Sequence, residues 1–209
     1  MNEQPAVYLP DNEPYLGRDS VFHFDQIILG CLERNAVVAP YTHRIVQSAL
    51  QRAACKLIPQ GINIALAIRE LVRQGYLFPA LVLMRPLIER TATISYLIND
   101  EQAASAWERG DWKGSKGPGL SKMLEEMAGA ADVSAAKFVC RTFHEIDHAD
   151  PGASKWNLVS PGEAGLGYAV SKVLDNPELC DFICYQSYCY LIVLTAAMGS
   201  CFPDALQTE

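Results

Sequence analysis

Residues 79–99 read Pro79-Ala-Leu-Val-Leu-Met84-Arg85-Pro86-Leu-Ile-Glu89-Arg90-Thr-Ala-Thr-Ile-Ser-Tyr96-Leu-Ile-Asn99. At about 100° per residue, Leu81, Val82, Leu83, Met84, Leu87, Ile88, Ile94, Tyr96, Leu97 and Ile98 surround a helix on nearly every side. A helix that is apolar all round belongs at the centre of a bundle, because other elements must cover each of its faces. Pro86 inside the run predicts a kink near Val82 to Arg85. Arg85, Glu89 and Arg90 interrupt the apolar pattern. An unpaired buried charge costs several kcal/mol, so these groups pair, line a cleft or reach the surface. Arg85 and Glu89 stand four residues apart and meet on one helix face. They are read either as an internal ion pair that orients the helix or as part of a cleft shared with His148.

Outward from this helix the chain punctuates itself into further helices. Asp19 or Ser20 is placed to cap a first one, with Val21, Phe22, Phe24, Ile27, Ile28, Cys31 and Leu32 at helical spacing up to about Asn35. Pro40 opens a second from about Tyr41 to Leu57, which Pro59 and Gly61 should break or kink. Helix resumes from about Asn63 to Gln74, with Gly75 as its C-cap. Glycines and a proline make 107–120 a loop anchored by Trp107 and Trp112. A short helix from Ser121 to Met127 follows. Asp132 or Ser134 caps the next, which Asp150, Pro151 and Gly152 end. Residues 150–167 read as loop, and helices at about Tyr168 to Leu174 and Pro177 to Gly199 close the chain. No run shows strand alternation between turn signals. The expectation is an all-α fold: an irregular arm over 1–18, where Pro5, Pro10, Pro14 and Gly17 fall, and a single-domain helical bundle of about six to eight helices over 19–209.

The chain has 209 residues, is half hydrophobic and carries a net charge of −7. That is a globular balance. It argues against a broad phosphate-neutralising surface, although a small basic cleft on an acidic body is compatible with it. The seven cysteines are odd in number and include no CxxC pair. The first thirty residues lack a basic region followed by an apolar run. Both point to free thiols in the cytoplasm and no signal peptide, and the cysteine spacing fits no structural zinc pattern. Leu179 to Phe202 is mostly apolar. Its uncharged part, Ser187 to Phe202, falls short of the roughly 20 residues of a membrane span, so a buried core helix is expected and no membrane partner.

The most chemical stretch is Arg141-Thr-Phe-His144-Glu145-Ile-Asp-His148. Helical spacing puts Arg141, His144, Glu145 and His148 within roughly a third of the circumference, with Val139, Phe143 and Ile146 opposite. Histidines near a helix C-terminus also have a structural use, since they favour the dipole and bond free carbonyls. His144 to His148 spells H-E-x-x-H, a zinc-hydrolase pattern. No further histidine follows, so a third ligand would have to be an acid such as Asp175 or Glu178, and no edge strand for a peptide substrate is visible. The site is therefore read without metal or cofactor.

Arg141 and His148, with six residues between them, resemble the R-x4-6-H motif of the HEPN superfamily, all-helical proteins many of which are metal-independent ribonucleases. As in that family, the motif lies late in a helix and runs toward a loop. The stretch from Gly75 to Asn99, with Arg85 and Glu89 in an apolar helix, looks like bacterial helical proteins of the same group. In outline the resemblance covers 41–200. Thr142 departs from the Asn, Asp or His usual after the arginine, and inactive members of the family occur. The resemblance implies that a ribose 2′-hydroxyl attacks the adjacent phosphate. His148 acts as general acid or base, Arg141 holds the phosphate, and His144 and Glu145 orient the pair. It also implies a homodimer with two motifs facing each other, acting on RNA as a toxin or defence component. The alternative is a non-catalytic module that binds a protein partner, in which Arg85, Glu89 and His148 form a structural polar network.

Overall fold

A computed structural model describes residues 13–43, 46–112, 117–128, 133–148, 150–159, 165, 167–168 and 172–206. Among these, α1 spans Asp19–Val38, α2 Ala49–Arg73, α3 Leu77–Ile98, α4 Glu101–Glu108, α5 Leu120–Ala128, α6 Val133–Asp147, α7 Pro177–Cys201 and α8 Pro203–Leu206. Two 3-10 segments cover Ala39–His43 and Pro151–Asn157. The only β pairing among the described residues is an antiparallel two-residue ladder, β1 Leu158–Val159 with β2 Gly167–Tyr168. The fold is an all-α helical bundle.

The apolar run is the central helix. Leu81, Met84, Leu87, Ile88, Ala92 and Ile94 of α3 are fully buried, and the helix packs against α2, α4, α5, α6 and α7. Thr91 is buried with them and returns its hydroxyl to the Leu87 carbonyl at 3.0 Å, which satisfies the one polar group it brings inside. α3 runs unbroken through Pro86.

α2 departs from expectation. It begins at Ala49 rather than Tyr41, behind a capping box in which the Ser48 hydroxyl accepts from Gln51 N–H and the Gln51 side chain accepts from Ser48 N–H. It then continues through Pro59 and Gly61 as a single helix. An interior proline costs about 3 kcal/mol, yet each large aliphatic side chain buried contributes roughly 1.5–3 kcal/mol. Leu57, Ile58, Ile62, Ile68 and Val72 bury one continuous face across the proline, so packing outweighs the lost backbone bond. Gly61 marks a close crossing: a Cβ there would stand 2.6 Å from Leu194 Cδ1 of α7.

α1 and α7 run parallel, since contacts advance together from Arg18 and Ser20 on Asp181 to Cys31 and Arg34 on Thr195. The expected cap of α1 does not form. Arg18 occupies the N-cap without a capping side-chain bond, and the Ser20 hydroxyl instead donates to Asp181 Oδ1 at 2.5 Å. The arm expected over 1–18 lies outside the described residues up to 12. Its last part is pinned by Tyr15, which is buried and donates to the Val173 carbonyl at 2.6 Å. Of the helix expected over Tyr168 to Leu174, the described residues form none: Tyr168 pairs in β2, and 172–174 are irregular beside Gly75. All seven cysteines are unpaired. α7 is long and apolar enough to cross a membrane by length and composition alone. Here it packs on α1, α2 and α3 and leaves Tyr185, Cys189 and Ile192 exposed.

Gly61→Leu will lower the unfolding free energy by about 1–3 kcal/mol through overpacking. Gly61→Ala will stay within about 1 kcal/mol of the parent, because regained helix propensity offsets displacing the tip of Leu194. Denaturant midpoints measure both. The Arg18 guanidinium, with help from Ser20 and against partial burial, holds the Asp181 carboxyl below its usual value. A depressed folded pKa contributes stability above the unfolded value of about 3.9, and that contribution is lost as pH falls through the folded value. Asp181→Asn will therefore flatten the acid limb of the stability–pH curve below about pH 4.

Candidate functional site

α6 sorts its residues as its spacing requires. Phe143 and Ile146 are buried and Val139 packs against the core, while Arg141, His144 and His148 are exposed and Glu145 is half-buried. The Arg141 side chain is 83% exposed and its Nε donates to Glu145 Oε1 at 3.1 Å. The other carboxylate oxygen of Glu145 lies 3.7 Å from Lys155 Nζ, so the 3-10 segment after α6 brings a second cation to the same carboxylate. The His144 and His148 rings stand 4.3 Å apart between centroids, tilted by 52°. His148 lies just past the last helical residue, and its backbone N–H donates to the His144 carbonyl at 3.1 Å.

Arg85 approaches from α3 beneath this end of α6. Its Nε lies 3.0 Å from Glu89 Oε1 and 3.1 Å from Asp147 Oδ2. The ion pair read from the four-residue spacing is therefore present, and it is shared with the residue next to His148. Arg90 diverges toward α2, donating to Gln60 Oε1 and to the Pro86 carbonyl. The Arg85 side chain is 19% exposed, and its Nη1 is buried with no hydrogen-bond partner among the described residues. The six candidate residues thus fall into two linked groups. Arg141, His144, Glu145 and His148 line the outer face of α6. Arg85 and Glu89 support its C-terminal end through Asp147. Asp147 escaped the sequence reading because its own spacing places it between the two helix faces, and only the approach of α3 gives it a partner.

Among the described residues no third His, Cys, Asp or Glu joins the two histidines in a metal-holding group. Asp175 and Glu178 are exposed at the start of α7. The Glu145 carboxylate, the base of a zinc-hydrolase reading, is engaged by Arg141 and Lys155.

Two concavities border α6 or the segment after it. One, of about 320 Å³, is lined by Lys155, Trp156, Asn176, Glu178, Leu179 and Phe182. Within it Trp156 stacks on Phe182 with centroids 5.8 Å apart, and its Nε1 is buried without a partner among the described residues. The other, of about 310 Å³, opens between α5, α6 and α7. Arg141 and His148 line neither. Trp156 could have been noticed as the one large ring in a stretch rich in Gly, Pro and Ser. The cavity walls have no such signal, because three separate helices supply them.

Comparison of the chain with family models, with curated proteins and with solved structures finds no match.

Arg85→Ala will cost about 1–3 kcal/mol, since it strands Asp147 and Glu89 without their shared donor. Hydrogen exchange will quicken over Val133–Asp147. Arg85→Met will lose less, because its stem keeps the packing and the unpaired Nη1 disappears with the charge.

Proposed function

We propose that this chain is a metal-independent RNA-cleaving protein of the HEPN type, a toxin or defence component working in the cytoplasm as a homodimer. One observation carries the proposal: a guanidinium, two imidazoles and a carboxylate share the solvent-facing side of α6 near its C-terminal end. These are the groups that transfer within a ribose phosphodiester requires. The 2′-oxygen forms a bond to the adjacent phosphorus while the bond from phosphorus to the 5′-oxygen breaks, leaving a 2′,3′-cyclic phosphate and a free 5′-hydroxyl. His148 exchanges the protons, and His144 offers a second imidazole beside it. Arg141 holds the phosphate and balances its developing charge, with Lys155 adding a second positive charge nearby. Glu145 orients Arg141 and Lys155, and Arg85 with Glu89 braces the helix end through Asp147. Two copies meeting at this face would place two such sets around one phosphate.

A second reading is a non-catalytic helical module that binds a protein partner. It is favoured by the ion pair that already neutralises Arg141 and by the net charge of −7, which opposes RNA at long range.

His148→Ala will reduce cleavage of single-stranded RNA by about 10²–10⁴-fold. Helical circular dichroism will be unchanged, since the side chain is exposed. Cleavage will persist in excess chelator. Activity that survives the substitution removes His148 from the chemistry, and activity lost to chelator and restored by zinc favours the H-E-x-x-H alternative.

A further inference from the structure

The cavity between α5, α6 and α7 has a lining that specifies its occupant. Its volume is about 310 Å³, at the lower end of the roughly 300–1,000 Å³ of small-molecule sites. Met127, Phe138 and Phe182 form part of its walls, and among the described residues no charged side chain lines it. Phe138 is 62% exposed, an aromatic face left open at the wall. Three neutral polar side chains also line the cavity: Thr142, Gln186 and Tyr190. Thr142 is 5% and Tyr190 7% exposed. Among the described residues none of the three side chains hydrogen-bonds to another protein group. Burial pushes the Tyr190 phenol up to about 12, so it remains a neutral donor and acceptor.

Each class of occupant meets these walls differently. A purely apolar molecule would leave the hydroxyls of Thr142 and Tyr190 without a hydrogen-bond partner in the cavity. A charged one would give up its hydration with no opposite charge to meet it. A flat, neutral ring with several donors and acceptors on its edge suits both the aromatic walls and the polar trio. A side-chain amide such as Gln186 pairs with that kind of edge in two directions. Thr142 is the neighbour of Arg141 on α6, so a ring held here has the phosphate-binding guanidinium of the proposed site close by along the helix.

We infer that this cavity is a nucleobase site. A base turned out of a single strand stacks against Phe138 and Phe182 and is read along its edge by Gln186, Thr142 and Tyr190, in the manner of single-stranded recognition. The link to RNA rests on the cleavage reading above, while the base site itself stands on the cavity alone.

Calorimetric titration with adenosine, guanosine, cytidine and uridine tests the site on the full chain. One nucleoside will saturate at a single site. Gln186→Leu and Tyr190→Phe will each weaken it about fivefold, the loss of one hydrogen bond, with the circular dichroism of both variants unchanged. His148→Ala and Arg141→Ala will leave nucleoside affinity intact, so loss of the cleavage reading and loss of the base site show up separately. A single-stranded RNA made uncleavable by 2′-deoxy sugars, carrying the preferred base, distinguishes the sources. Binding tenfold tighter than the nucleoside, and weakened by Arg141→Ala, identifies an RNA strand; equal binding identifies a free nucleoside. No saturable binding of any nucleoside at millimolar concentration would overturn the inference, as would binding indifferent to Gln186→Leu and Tyr190→Phe.

Discussion

Burial of α3 on all sides is the constraint from which the rest of the structure follows. Its apolar residues point in every direction, so no single partner can cover them. α2 and α7 take two faces along much of its length, while α4, α5 and α6 close the remainder. The cost of interior prolines is absorbed by the same need. Pro59 in α2 and Pro86 in α3 each forgo a backbone bond, and the apolar faces they interrupt stay continuous because burial of a few large side chains outweighs one missing hydrogen bond.

The same constraint explains why charges on α3 matter for α6. A guanidinium that leaves a fully apolar helix must find acids where it emerges, and Arg85 finds Glu89 on its own helix and Asp147 on the next. That contact positions the end of α6 and therefore the histidine that follows it. The polar face of α6 is arranged more loosely. Arg141 is almost fully solvated, and its pairing with Glu145 is a surface ion pair of the kind worth at most about 1 kcal/mol. Arg141 can exchange Glu145 for another anion at little cost, whereas Arg85, whose side chain is mostly buried, cannot leave Glu89 and Asp147 without giving up both partners at once.

α6 also divides its environment. Its outer face presents cations and imidazoles to solvent, and the flank beside it closes, with α5 and α7, a cavity whose described lining is uncharged. Thr142 belongs to the second surface although it follows Arg141 directly. Its side chain is buried in the cavity wall, and a small hydroxyl fits there.

The all-α character, the central helix, the two-faced α6 and the pairing of Arg85 with Glu89 were all legible in the linear sequence, because each depends on spacing within one helix. Where reading failed, distant segments intervened. Pro59 and Gly61 look like a break until Leu194 arrives to occupy the notch over Gly61. Ser20 looks like a cap until Asp181 claims its hydroxyl. Asp147, Lys155 and the walls of the cavity acquire meaning only where α3, α5 and α7 meet α6. Periodicity along a chain reports which side of a helix is apolar. It carries no information about which other helix will face that side, and so the partners of individual polar groups were decided by the tertiary packing alone.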